Sequence, residues 1–415
     1  MTLIPVRNLT VLPRAVSGRY TRLRTGLGGV LVLAFLSLPW WRWQGQQALW
    51  LDLPNRRLQV WGAAFWPDDL HLLALALIVA ALALFWATVL AGRVWCGYAC
   101  PHTVWTALFL WCERVSRGRR LICHLLWLTL SAVTALTLVG LFVPIQQLLP
   151  AIATGTLGAG TGACLAAITV LTYVNAGWLR EHLCVYLCPY GRFQAVMFDA
   201  HTPVVHYDQA RDDCTRCTLC VQVCPTGIDI RQGLQLACIA CGACVDACDS
   251  VMAKVKRPQG LIAYRSEAGQ AGHAPPKRRP RLLGYGVAVI ASTALLAYGL
   301  ATRPLVTLSV SKDRQLYRER GDGFIENLYS LTVMNKTRQA RTYALSATGP
   351  QGLAWRGVRQ VTLAPGERRT EVMSLALAAE QAVNTEVVFQ VAEHRSPAAQ
   401  AIEQQVSSRF TGPLR

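Results

Sequence analysis

The stretch DCTRCTLCVQVCPTGIDIRQGLQLACIACGACVDACD, Asp213 to Asp249, holds eight of the chain's fifteen cysteines. They form two runs of one spacing, C-x2-C-x2-C-x3-C: Cys214, Cys217, Cys220 and Cys224, then Cys238, Cys241, Cys244 and Cys248. Bacterial ferredoxins with two [4Fe–4S] clusters use this spacing. Three cysteines on one tight loop bind three corners of a cubane, and the fourth, opening a helix, ligates the other cluster. The expected sets are therefore Cys214, Cys217, Cys220 and Cys248 for one cluster, and Cys238, Cys241, Cys244 and Cys224 for the other. A zinc ribbon pairs two CxxC motifs across roughly 15–20 residues, and a disulfide framework belongs to small secreted domains; neither fits. Asp249 stands where a second proline follows the fourth cysteine in such ferredoxins, which costs no ligand.

Two further motifs are C-x3-C-P: Cys96/Cys100-Pro101 and Cys184/Cys188-Pro189, each with a tyrosine between the cysteines, Tyr98 and Tyr186. An i, i+4 spacing puts both sulfurs on one helix face. If the two helices are neighbours, four thiols converge at a membrane surface beside the clusters. Soft thiolates select Cu(I) or hold iron or zinc, and His102 or His182 could add a ligand. Cys96, Cys100, Cys184 and Cys188 are therefore candidate catalytic residues and possible ligands of copper, iron or zinc. The plainer alternative is small buried residues at helix ends, since free cysteine is commonly buried. Cys112, Cys123 and Cys164 lack partner spacing and are expected to be packing residues. His71, His124, His201, His206, His273 and His394 are expected to be ordinary core or surface positions.

The elements that must position these residues are apolar. Of 415 residues, 53% are hydrophobic and 15% charged, with thirteen tryptophans. Runs near the ~20 residues that cross a bilayer cover 27–38 (short, but ending in Pro39-Trp40-Trp41), 72–90, 125–143, 157–178 and 282–302. The polar lead before the first run, with no A-x-A site, argues against a cleavable signal peptide. Gly158-Ala159-Gly160-Thr161-Gly162-Ala163 loosely resembles a dinucleotide fingerprint. No strand precedes it, and small residues for close helix packing explain it better. Residues 43–70 read as amphipathic and Trp-rich, and 144–150 as an uncharged loop.

The net charge of +18 sits between apolar runs rather than along a soluble face, which indicates membrane topology and not nucleic-acid binding. Arginines concentrate in the N-terminus, the 92–124 loop and the 178–281 segment. With five spans, that places the N-terminus and the cysteine-rich domain inside and the tail outside. Cysteines in oxygen-sensitive spacing independently require a reducing compartment. The tail alternates short β-branched runs with turn formers, near 305–310, 325–334, 342–347, 359–363, 370–377, 386–392 and 402–410. About seven strands over this length fit an immunoglobulin-like sandwich without a disulfide.

The expected fold is thus a multi-domain membrane protein: an α-helical transmembrane bundle of about five spans, an inserted bacterial-type ferredoxin domain (α+β) for two [4Fe–4S] clusters, and a C-terminal immunoglobulin-like β-sandwich. Its divisions are a basic N-terminus (1–25), four spans with both C-x3-C-P motifs (26–200), the ferredoxin-type domain (201–258), a linker (259–281), a fifth span (282–302) and the tail (303–415).

Taken together, VWCGYACPHTVW, REHLCVYLCPYGRFQAVMFD, the doubled cluster motif, VDACDSVMAKVKRPQGLIAY, LDLPNRRLQVWGAAFWPDDLHLL and NLYSLTVMNK resemble the CcoG (FixG, RdxA) family of accessory proteins for cbb-type cytochrome c oxidases. The likeness spans nearly the whole chain, although His102 stands where glutamine is expected. The resemblance implies a multi-pass protein of the bacterial cytoplasmic membrane that reduces Cu(II) and supplies Cu(I) for oxidase assembly, with oxidase subunits or copper-delivery proteins as partners. Cluster potentials span roughly −700 to +450 mV, so single-electron reduction of copper is within reach. The alternative is a quinol-linked carrier like the NapH-type proteins, which share C-x3-C-P and ferredoxin motifs; a scaffold with structural clusters is a third reading. The chain has no flavin or nicotinamide motif, so electrons must come from a quinol or a partner reductase.

Overall fold

The computed structural model of the protein describes residues 13–271, 279–321, 323–393 and 403–413. Arg7, the linker prolines Pro275 and Pro276, His273 and His394 lie outside the described residues. The chain divides into two compact units, 1–297 and 298–415.

The first unit contains helices α1 (Arg19–Ser37), α2 (Leu70–Ala91), α3 (Pro101–Val115), α4 (Arg120–Val139), α5 (Ile145–Ala153), α6 (Ala159–Tyr173), α7 (Pro189–Met197), α8 (Ala243–Lys254) and α9 (Pro280–Ala301). Five helical segments among the described residues are long and apolar enough to cross a membrane, containing α1, α2, α4, α6 and α9. The chain is a membrane protein.

Helix α1 begins eight residues before its apolar run, for a local reason. Arginine is a good helix former, and the carboxylate of Asp246, on α8, caps the free N-terminal amides. Asp246 accepts from the Tyr20 N–H at 3.2 Å, the Thr21 N–H at 2.7 Å and the Thr21 hydroxyl at 2.8 Å. A negative charge there also meets the positive end of the helix dipole. Helix α4 stops at Val139 because Gly140 and Pro144 follow, and residues 144–150, expected as a loop, mostly form α5. Residues 43–70 fold differently from the amphipathic reading: Leu49–Asp52, Arg57–Val60 and Ala63–Phe65 make a three-stranded antiparallel sheet. Its period-2 signal is short and broken by turns.

The cysteine-rich segment is framed by an antiparallel pair, Val204–Tyr207 with Ile262–Arg265, and by α8. In the second unit, one sheet runs in the order Ala354–Arg356, Arg368–Ala378, Phe324–Asn335, Val306–Lys312, with Arg318–Glu319 also on Phe324–Asn335. The other runs Gln360–Leu363, Arg341–Thr348, Thr385–Glu393, Glu403–Phe410. The seven expected strands are all present, with two short additions. Tyr329, Tyr343, Phe389 and Phe410 fill the core between the sheets. The side chain of buried Asn335 donates to the Gln339, Leu363 and Ala364 carbonyls and accepts from Tyr343.

Replacing Asp246 by alanine leaves the first amides of α1 unpaired and should destabilise its docking by about 1–2 kcal/mol. Limited proteolysis of detergent-solubilised protein should then cut near residues 14–24 faster than in the wild type. Equal cutting rates would refute the capping role.

Candidate metal centres

Two cavities gather the cysteines. One is lined by Cys214, Cys217, Cys220 and Cys248, closed by Tyr207, Arg231 and Ile262. The other is lined by Cys224, Cys238, Cys241 and Cys244, with Cys220 also on its wall. No disulfide joins any of the fifteen cysteines. Among the described residues, no three Cys, His, Asp or Glu side chains close on a single metal ion. A cubane spreads its four thiolates more widely than one tetrahedral ion, whose sulfurs lie about 2.3 Å from the metal. The donor set suits iron–sulfur clusters: all sulfur, on apolar walls. Burial pushes the thiol of Cys238 up to about 11 and that of Cys248 to about 12, and drives Cys244 well up. Bare thiolates are therefore costly there, and bound iron would supply the missing positive charge.

The loop carrying the second cavity lies directly on the first C-x3-C-P motif. Residues Trp95–Ala99 form a π-helical turn. A Cβ on Gly97 would stand 2.8 Å from the Ala240 carbonyl oxygen and 2.9 Å from that of Ile239. Only glycine allows that approach. Cys96 packs among Val223, Ile239, Cys241 and Ala247. Arg93, two residues after α2, is 7% exposed. Its guanidinium donates to the carbonyls of Cys238 (2.8 Å), Leu236 and Gly191 (2.8 Å). The Tyr264 hydroxyl donates to the Ala240 carbonyl at 2.6 Å and lies 3.5 Å from the Tyr98 hydroxyl. The Tyr20 ring packs at 5.0 Å on that of Tyr264.

The two C-x3-C-P motifs do come together. Burial, then the neighbouring Cys100 thiolate, push Cys96 up to about 12; Cys188 and Cys184 add to the rise, and Arg93 opposes it. The Cys96 thiol donates to Gln194 Oε1 at 3.1 Å, and Gln194 in turn donates to Thr88 (3.2 Å) and Tyr190 (3.0 Å). The local geometry differs from a regular helix face. Cys96 and Cys184 sit in π turns, whereas Cys100 and Cys188 have extended backbones and act as N-caps of α3 and α7. Each following proline occupies the first helical position, where a missing N–H costs nothing.

Arg180 clasps the two halves. Its side chain is buried, ion-paired to Glu113 of α3 and stacked 5.3 Å from the Trp127 ring, and it donates to the Gly177 carbonyl at 2.7 Å. Its own carbonyl accepts from His102 Nε2 at 2.7 Å. One ring nitrogen of His102 is thus engaged in this clasp. His182 is exposed and stacks on Tyr186 at 5.9 Å. Cys112 packs with Phe109 and Trp127, with Cys123 at the edge of that cluster, as expected of packing residues; Cys164, expected to pack as well, is instead exposed on α6. No local sequence pattern marks Arg93, Gln194, Tyr264 or Asp246 as site residues. Arg93 counts there only as one more positive charge at a span end, although it stands three residues before Cys96.

Family models match three parts of the chain: a 4Fe–4S dicluster domain at residues 179–213 and 209–267, a 4Fe–4S binding domain at 73–121, and the immunoglobulin-like fold at the C-terminus of FixG at 296–413. The protein RdxA of Cereibacter sphaeroides is 35% identical, covering 83% of each chain. The nitrogen fixation protein FixG of Rhizobium meliloti is 30% identical, covering 85% of this chain and 82% of its own. The ferredoxin-type protein NapH of Haemophilus influenzae is 30% identical over 44% of this chain and 67% of its own. With an iron–sulfur domain between membrane helices and an immunoglobulin-like tail, the chain belongs to the FixG/RdxA family of iron–sulfur electron-transfer proteins.

Proposed function

We propose that the protein is a membrane-bound Cu(II) reductase that supplies Cu(I) for assembly of a cbb-type oxidase. The observation that carries this reading is the packing of the Trp95–Ala99 turn on the loop of Cys238, Cys241 and Cys244. In it, Cys214, Cys217, Cys220 and Cys248 hold one [4Fe–4S] cluster and Cys224, Cys238, Cys241 and Cys244 the other. The clusters, when bound, supply single-electron transfer. The chain's own residues do the rest. Gly97 lets the two sulfur systems touch, and Arg93 places a buried cation between Cys96 and Cys238. The Arg180 clasp brings Cys184 and Cys188 to Cys96 and Cys100. Cu(II) held by these thiols gains one electron and becomes Cu(I), the state that soft sulfur ligands favour.

A second reading keeps the electron transfer and changes the cargo. Both C-x3-C-P motifs fall within residues matched by 4Fe–4S family models. That supports iron, rather than copper, at those thiols, in a carrier serving another reductase as a NapH-like protein would.

The cluster side and the N-terminus face the cytoplasm in this proposal and the tail the periplasm. Arginine placement, five apolar helices and the need of unpaired cysteines for a reducing compartment support it.

Three outcomes follow. Changing Cys96, Cys100, Cys184 and Cys188 together to serine should lower dithionite-driven Cu(II) reduction at least ~tenfold, with about eight irons per chain retained. Loss of iron from that variant favours the second reading, and an unchanged rate refutes the thiol assignment. Gly97→Ala forces backbone apart, at a cost of about 1–3 kcal/mol; it should slow copper reduction while both clusters still reduce with dithionite, read by stopped-flow. Protease added to intact spheroplasts should remove the 303–415 region and spare the cluster domain; the opposite pattern overturns the orientation.

A further inference from the structure

A third cavity, of about 170 Å³, lies beside Cys238 and outside both cysteine cavities. An apolar cavity of about 150 Å³ is already large enough for a benzene ring. Its walls are mainly apolar, including Phe198, Val204 and Leu236, while Arg93 and Gln235 supply polar atoms. It sits at the ends of two membrane spans. Arg93 stands two residues past the end of α2. Phe198 and Asp199 are tied to the start of α9, because Arg281 donates to the Phe198 carbonyl at 2.9 Å and Arg279 pairs with Asp199 at 2.6 Å. Arg279 also donates to the Val89 carbonyl of α2 at 2.9 Å. Two wall residues, Leu234 and Leu236, are 51% and 60% exposed. Such apolar side chains at the bilayer surface suit a ligand arriving from lipid.

We propose that this cavity binds the ring of a membrane quinol and is where electrons enter the protein. The inference rests on the electron-transfer reading above, in which Cys238 is a cluster ligand. Three observations carry it. A cavity wall is itself a cluster ligand, so a ring bound there lies against the coordination shell. Arg93 is a buried cation whose hydrogen bonds go to three backbone carbonyls, with no carboxylate partner among the described residues. Its charge favours a ring oxygen that is losing its proton. The quinol's electron count also suits the proposed pair of centres: its two O–H bonds break, both protons leave to water at the open rim, and two electrons leave singly, one for each centre. The quinol would be oxidised to the quinone, and each cluster, when bound, would take up one electron. The two cysteine cavities share Cys220 as a wall, so clusters held there would be neighbours.

The test uses full-length, cluster-loaded protein in anaerobic detergent or liposomes, with menadiol as donor and dithionite as control. Menadiol should bleach the visible cluster absorbance of the wild type. A hydroxyquinoline N-oxide should show saturable fluorescence quenching on the oxidised protein. Val204→Trp, which fills the cavity, should abolish the quenching. Both this change and Leu236→Glu, at an exposed position that tolerates charge, should slow menadiol bleaching at least ~tenfold and leave dithionite bleaching intact. The proposal is overturned if menadiol fails to bleach wild type that dithionite reduces, or if both variants bleach at the wild-type rate. Reduction only by a soluble reductase also overturns it. Failure of dithionite-reduced protein to convert Cu(II) would instead sink the copper reading and leave the quinol result standing.

Discussion

The structure depends on one close approach. The backbone of the Trp95–Ala99 turn touches the carbonyls of Ile239 and Ala240 with no side chain between them. That contact joins the end of α2 to the innermost cysteine loop. Arg93 reinforces it from one side by bridging Leu236, Cys238 and Gly191. Tyr264 reinforces it from the other by holding the Ala240 carbonyl. Without the glycine, a Cβ would stand 2.8 Å from the Ala240 carbonyl oxygen and 2.9 Å from that of Ile239, and the two segments would have to shift apart.

Charge placement follows from that geometry. Buried thiolates repel one another in a low-dielectric setting, and so many sulfurs need compensating cations. Arg93 lies near both Cys96 and Cys238 and opposes the upward shift of each. Arg180 plays a structural part instead. Its buried pair with Glu113 and its carbonyl bond to His102 tie the segment before Cys184 to the helix after Cys100. A buried ion pair is weak support for stability by itself. Here it fixes which halves meet. Asp246 adds a third long-range tie, holding the first span to α8.

The π turns at both C-x3-C-P motifs have a common logic. A π turn widens the helix by one residue per hydrogen bond and is frequent at functional sites. It carries the first cysteine of each motif, Cys96 and Cys184. The chain then leaves the helix at the second cysteine, and proline restarts it in a new direction. The same device at 95–101 and 183–189 gives the thiol site its approximate internal repeat.

Much of this was legible from residue spacing. Five apolar runs, two cluster motifs and seven alternating strands are local patterns, and each is set by chain periodicity or by ligand spacing along one loop. The helical starts of α1 and α5, the small sheet at 49–65 and the π turns were not legible. They depend on partners far along the chain or on signals only three or four residues long. The sequence by itself determined which atoms could hold iron and which segments must leave water. Only the tertiary structure decided that the thiol pairs meet each other and lie on the second cysteine cavity, because that rests on Gly97, Arg93 and Arg180. The long-range hydrogen bonds of Arg93 and Arg180 reach 67 to 145 positions along the chain, and no local pattern records them.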